Sequence, residues 1–259
     1  MRLLFVGDVF GKVGRSQVKS RIADLKKKEN IDFVIVNGEN SSGGIGIKPE
    51  QAKELLRAGA DVLTGGNHSW KHKDIQGYIG GEPRLLRPAN FDETAPGKGF
   101  GVFTTPAGPM AVINLLGRVF IEHFVECPFK TADRIIKELP EDVKMIFVDF
   151  HAEATAEKVG LLRYLDGRVS AIIGTHTHVQ TADDQVTAQG TAYLTDVGMT
   201  GPHGGVIGMR GDRIVKKFLN GMPTPFVPSK DDPRFQAVII DINAETGRAT
   251  TMQRLSLKG

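Results

Sequence analysis

A single cysteine, Cys127, in a chain of 259 residues excludes an intrachain disulfide framework and leaves no thiolate cluster for structural zinc or an iron–sulfur group. A reducing cytoplasm is the expected compartment. No apolar run approaches the ~20 residues of a membrane-spanning helix. The opening Met1-Arg2-Leu3-Leu4-Phe5-Val6-Gly7-Asp8 is too short an apolar stretch, too soon interrupted by an acid, for a signal-peptide core. A large excess of one charge sign is also lacking, with 33 basic residues against 30 acidic ones. The one dense basic block, Lys26-Lys27-Lys28, falls on an expected helix, so neither a membrane nor a stable nucleic-acid complex is expected as a partner. Repeats, low-complexity tracts and flexible linkers are missing, and so is the Gly-x-Ser-x-Gly signature of a serine nucleophile. With 40% hydrophobic residues the chain has ample material for a full core, and one domain over 1–259 is the expectation.

What is present is a regular alternation of short apolar runs and helical patterns. Residues 3–6 read as a strand, 15–29 as a helix with Val18, Ile22 and Leu25 on one face, and 33–36 as a second strand. Pro49 opens a helix through residue 57, Gly59 stops it, and Val62-Leu63 begins a third strand. Residues 100–104 and 110–115 flank Pro106-Ala107-Gly108-Pro109 as a hairpin. There follow a helix at 131–139, a strand at 144–150, a helix at 155–165 and a strand at 169–173. A second hairpin turns at Gln189-Gly190, a helix is expected over 210–219, and Pro223, Pro225, Pro228 and Pro233 mark a loop covering an edge. Strands at 235–242 and 249–257 close the chain. This order suits an α/β sandwich with helices outside and mixed sheets inside.

Five apolar strands end in residues that ligate metals. Residues 3–6 lead to Gly7-Asp8, and 33–36 to Asn37-Gly38-Glu39-Asn40. Val62-Leu63 leads to Gly65-Gly66-Asn67-His68, 145–150 to His151, and 171–173 to Gly174-Thr175-His176-Thr177-His178. Carboxyl ends of strands in α/β sheets are where ligands gather. Four of the seven histidines fall at these ends, while His72, His123 and His203 do not. Extended backbone would turn His176 and His178 to one side, and Gly7, Gly38, Gly66 and Gly174 would let the chain turn sharply. Imidazole, carboxylate and amide donors without thiolate suit Mn, Fe, Co, Ni or Zn. The donors are too many for one tetrahedral ion, so two ions sharing a carboxylate are expected.

In order and spacing these blocks resemble the calcineurin-like metallophosphoesterases, and specifically their YmdB-like bacterial branch. Val6-Gly7-Asp8-Val9-Phe10-Gly11, Asn37-Gly38-Glu39-Asn40 and Leu194-Thr195-Asp196-Val197-Gly198-Met199-Thr200-Gly201-Pro202 carry the likeness across the chain. The resemblance implies a four-layer α/β/β/α sandwich with mixed sheets and a dinuclear centre of two divalent ions, iron or manganese. It implies a phosphodiesterase acting on cyclic nucleotides, 2′,3′-cyclic AMP first and 3′,5′-cyclic AMP as another substrate. Asp8, Glu39, Asn40 and His178 would hold the first ion, and Glu39, Asn67, His151 and His176 the second. A bridging hydroxide would attack phosphorus and His68 would be the general acid, with a role in orienting a ligand as the plainer reading.

Two positions depart from the wider superfamily. Phe10 stands where a histidine is usual, and Glu39 replaces an aspartate, leaving His178 as the expected lone nitrogen of the first ion. Asp149 and Glu153 read as surface charges or supports of ligands. Gly43-Gly44-Ile45-Gly46 lacks a P-loop lysine and reads as a flexible loop, and Thr200-Gly201-Pro202-His203-Gly204-Gly205 as a turn, a wall of the nucleotide pocket or a phosphate contact. A phosphomonoesterase or nuclease with the same centre stays open, as does a regulatory RNA-interaction protein with a structural metal site. Self-association into a homo-oligomer is compatible with all of these.

Overall fold

Alternation along each strand decides the layers. In the computed structural model, which describes residues 1–259, β1 (Arg2–Val6) sends Leu3 and Phe5 into one hydrophobic cluster and Leu4 and Val6 into another. β3 (Phe33–Asn37) does the same with Phe33 and Ile35 against Val34 and Val36. Side chains of successive strand residues point to opposite faces, so a strand covered on both sides is apolar throughout.

Two mixed sheets result. The first runs β2 (Asp8–Val9), β11 (Met199–Pro202), β12 (Pro233–Ile242), β1, β3, β4 (Val62–Thr64), with β13 (Ala249–Lys258) paired onto β12. The second runs β5 (Phe100–Thr105), β6 (Gly108–Leu116), β7 (Met145–His151), β8 (Ala171–Thr175), β10 (Ala192–Leu194), β9 (Gln185–Val186). The sheets face each other through Leu3, Phe5, Ile35 and Val238 on one side and Val112, Phe147 and Ile173 on the other. Helices α1 (Gly11–Lys28) and α2 (Pro49–Arg57) cover the first sheet with Val18, Ile22, Ala52 and Leu55. Beyond α3 (Asp74–Ile79), helices α4 (Pro128–Glu138) and α5 (Thr155–Leu165) cover the second with Ala132, Ile135, Leu161 and Leu165. Three apolar layers between four layers of structure make the α/β/β/α sandwich.

Both expected hairpins form, as β5–β6 and β9–β10. The expected helix near residue 210 is α6 (Gly211–Asn220), and Pro228 in the proline loop pairs with Met209. Three elements escape the sequence pattern because each is short: β2, α3 and β11. Residues 199–202 are not a turn but a buried strand, parallel to β2 with Met199 opposite Asp8 and antiparallel to β12. Helix α1 starts at Gly11 rather than residue 15. Its first turn is closed by Gly14 N–H donating to Phe10 O, where no apolar spacing announces it. No helix is long and apolar enough to cross a membrane.

Candidate metal centre

Parallel pairing brings the strand ends together. β1, β3 and β4 run parallel and stop at Val6, Asn37 and Thr64, while β7 and β8 run parallel with His151 opposite Thr175. Asp8, Glu39 and His151 are consequently buried beside one another, far apart though they lie in the chain.

His151 is at the middle. Its Nε2 lies 3.1 Å from Glu39 Oε1, 2.9 Å from Asn67 Oδ1 and 3.0 Å from His176 Nδ1. Its other nitrogen, Nδ1, donates to Thr175 Oγ1 at 2.9 Å, and that hydroxyl donates to Asp149 Oδ1 at 2.7 Å. This relay fixes a proton on Nδ1 and turns Nε2 toward the cluster, where its lone pair would be offered to a bound cation. His176 is oriented the opposite way, with Nε2 3.0 Å from Glu153 Oε2 and Nδ1 inward. Ligand atoms of Glu39, His151 and His176 all lie within 4.8 Å of one another.

The second focus is Asp8. His178 Nε2 lies 3.6 Å from Asp8 Oδ2, and its Nδ1 donates to Ile207 O at 3.1 Å. Asn40 sits between two histidines: its Nδ2 donates to His178 Nε2 at 3.1 Å, and its Oδ1 accepts from His68 Nδ1 at 2.8 Å. For Asn40 to offer oxygen to an ion beside His178 its amide must rotate by half a turn. His68 also lies 3.1 Å from Glu39 Oε1, and its backbone N–H donates to Glu39 Oε2. All eight residues singled out in the sequence therefore belong to one connected cluster. Phe10 fills the place of the missing histidine with its ring edge-on to His178 at 5.7 Å, in an apolar pocket with Met199 and Met209.

Three sequence expectations change. His176 and His178 are not presented by extended backbone: β8 ends at Thr175, and the two histidines have φ of 101° and 67°. Left-handed backbone at a non-glycine residue costs ~1–3 kcal/mol and persists where surrounding bonds enforce it. Here Asp8 Oδ2 accepts from His176 N–H, Asp196 Oδ2 from Thr177 N–H. The glycines before the ligands serve by lacking a side chain rather than by turning. A Cβ on Gly66 would collide with Glu39 Oε2 and lie 2.5 Å from His151 Nε2, and one on Gly7 or Gly174 would strike a backbone carbonyl. Of the two readings of Asp149 the surface charge falls and the support of a ligand stands: it is fully buried, accepting from Asn37, Thr64 and Thr175, the last of which meets His151.

Several residues of the site had no sequence signal. Asn114 Oδ1 accepts from Gly65 N–H at 3.0 Å and so fixes the loop leading to Asn67. Lys158 and Asp196 form a buried pair under the histidine loop. A polar residue inside an apolar strand, as Asn114 and Asp149 are, is the one sign that could have marked them.

The electrostatics favour a cation. Burial, reinforced by the Glu39 charge, pushes the Asp8 carboxyl well above the usual carboxylate range despite the pull of His151. Burial works against the Glu39 charge too, yet His151 and His68 hold it well below that range. Burial opposes a charge on His151, but Glu39, Asp8 and Asp149 raise it to about 9. His176, by contrast, is driven down to about 3 by burial and by His151. Asp149 rises to about 6 through burial. The cluster draws positive charge to the point where the carboxylates converge. Glu39 Oε1 has only the ring nitrogens of His68 and His151, each at 3.1 Å, while Asp8 Oδ1 is buried and accepts no hydrogen bond. An ionised oxygen left so costs ~1–3 kcal/mol or more, and a divalent cation satisfies it without a donor. The donor set of imidazole, carboxylate and amide fits such an ion.

A family model described as "YmdB-like protein" matches residues 4–255. The chain belongs to this family. A 2′,3′-cyclic-nucleotide 2′-phosphodiesterase of Bacillus subtilis is 46% identical over 98% of the chain and 96% of its own length. Among solved structures, a novel phosphatase from Mycoplasma pneumoniae superposes with TM-score 0.94 at 35% identity, covering 100% of this chain and 93% of that one. A hypothetical protein from Thermus thermophilus superposes with TM-score 0.93 at 37% identity, covering 100% and 99%. The four-layer sandwich of this YmdB-like chain is the metallophosphoesterase fold that the sequence blocks implied.

Proposed function

We propose that this chain is a dinuclear metal-dependent phosphodiesterase that opens 2′,3′-cyclic nucleotides, 2′,3′-cyclic AMP first among them. The observation that carries the reading is the convergence of two buried carboxylates, Asp8 and Glu39, with His151, His176 and His178. It is supported by the similarity to the Bacillus enzyme over nearly the whole chain. In this reading Asp8, Glu39, Asn40 and His178 hold one ion and Glu39, Asn67, His151 and His176 the other, with Glu39 shared. The oxygen-rich first set favours iron or manganese. When bound, the ions supply a nucleophile from water and neutralise the phosphoryl oxygens.

The protein's own contribution is placement and a proton. Asp149, through Thr175, keeps His151 in one tautomer, and Glu153 does so for His176. His68 Nδ1–H donates to Asn40 Oδ1, which orients the ring, and in the imidazolium form its Nε2–H would pass to the departing ribose oxygen. The chain works in the cytoplasm in this reading, where Cys127 stays reduced.

The test is hydrolysis of 2′,3′-cyclic AMP by protein loaded with manganese or ferrous iron. His68→Ala should slow turnover ~10²–10⁴-fold with metal content retained, and Glu39→Gln should lose metal. A folded, metal-loaded protein that leaves the cyclic phosphate intact would refute the assignment. The Mycoplasma phosphatase favours a second reading, hydrolysis of phosphomonoesters at the same centre. A panel of mono- and diesters separates the two by their relative kcat/KM.

A further inference from the structure

The segment between β6 and α4, residues 117–127, has no part in the cluster described above, yet it is fastened to it. Gly117 N–H donates to His151 O at 2.9 Å. Backbone N–H groups of Arg118 and Val119 donate to Glu157, and Asn90 ties both ends of the segment through Leu116 O and Glu126 O. At its centre is His123, whose imidazole is held below its usual range by burial and by the charge of His68. The ring of His123 is the outermost member of an aromatic row: Phe91 meets it edge-on at 5.9 Å, and Trp70, two residues beyond His68, meets Phe91 edge-on at 5.9 Å.

Two further aromatic side chains lie in the same segment and are given to solvent, Phe120 at 84% and Phe124 at 106% of full exposure. Phe120 has φ 63°. A bulky residue in that conformation is an outlier, and such strain collects at functional sites. A loop tied down at both ends, one of them at the His151 carbonyl, strained in its middle and exposing phenylalanine leaves large apolar surface in water, against the general tendency to bury it. Every nucleobase offers a flat π-face that stacks on such rings whatever its hydrogen-bonding edge.

We propose that residues 117–127 form an aromatic platform, His123 backed by Phe91 and flanked by Phe120 and Phe124, that stacks on the base of a nucleotide whose phosphate sits at the metal centre. The proposal deepens the phosphodiesterase reading and rests on it. It makes His123, Phe120 and Phe124 determinants of specificity for base-bearing substrates over sugar phosphates, with tolerance of different bases.

The experiment compares kcat/KM for 2′,3′-cyclic AMP with that for methyl ribofuranoside 2′,3′-cyclic phosphate, which has the same ring and no base, using the metal-loaded protein. The ratio of the two should favour the nucleotide and fall about ten-fold, mostly through KM, in His123→Ala and in the double variant Phe120→Ala/Phe124→Ala. His123→Phe should restore the ratio, since stacking survives the change while hydrogen bonding and proton transfer do not. A ratio near one in the unaltered protein, or one that the alanine variants leave in place, overturns the platform. Titration with adenosine 2′-monophosphate against ribose 5-phosphate reads the same contrast without turnover. Equal binding of the two overturns the platform. Preferential binding that the alanine variants lose, in a protein that opens neither cyclic phosphate, supports the platform and refutes the phosphodiesterase reading instead.

Discussion

Lys158 and Asp196 form an ion pair of 2.9 Å between side chains 1% and 0% exposed. The ammonium group also donates to Thr175 O. The carboxylate accepts from Thr177 N–H and Gly198 N–H, at either end of the path between the histidine loop and β11. This pair stands directly beneath His176 and His178 and holds their backbone in its left-handed course.

Removing one partner leaves the other charged and buried. Lys158→Met should therefore lower stability by about 3–5 kcal/mol, read from urea unfolding followed by circular dichroism. It should also lower metal content, because the histidine loop is released from its anchor at Thr175. A variant as stable as the parent would show that the pair does not support the loop.

Gly66→Ala should strip metal from the protein, since the new Cβ occupies space taken by Glu39 Oε2 and His151. Gly43→Ala is the contrasting substitution: Gly43 has φ 66° but nothing within 4 Å of its Cβ position, so only backbone strain of ~1–2 kcal/mol is added. Elemental analysis of the two purified variants should show metal lost in the first and kept in the second.

Thr175→Val deletes the hydroxyl between His151 Nδ1 and Asp149 without changing the ligands. His151 can then adopt either tautomer, and metal affinity should fall ~10–100-fold. Competition against a chromogenic chelator measures this. An unchanged affinity would mean that packing alone orients the ring.

Chelation should destabilise the fold. An ion bound only by the native state at about 100 times its Kd contributes ~2.7 kcal/mol, and its removal leaves Asp8 and Glu39 to repel each other. The melting temperature should drop on adding a strong chelator and return when manganese or iron is resupplied in excess.

Much of the architecture was legible because apolar spacing reports local burial. Leu3 to Val6, residues 33–36 and residues 145–150 are continuous apolar runs but for Asp149, and each is a strand covered on both faces. β2 and α3 were not legible, since two residues or six do not establish a period. β11 adds a second reason to its shortness. Gly201 and Pro202 have turn composition, and only pairing with β2 and β12 makes them part of a strand.

The sequence by itself determined which residue types end the five strands, and hence that imidazole, carboxylate and amide donors would be available at one edge of two sheets. It could not determine how they face one another. Asn40 turning its oxygen to His68, Phe10 closing on His178, Asp149 reaching His151 through Thr175, and Lys158 anchoring Asp196 are relationships between residues distant in the chain or on adjacent strands in register. Those separations are bridged by sheet pairing, which sets distances of a few ångströms between segments that share no local pattern. The two histidines separated by Thr177 show the division. Their identity was readable from the chain, while their left-handed backbone and their outlook onto different carboxylates, Glu39 and Asp8, exist because buried bonds from Asp8 and Asp196 hold them there.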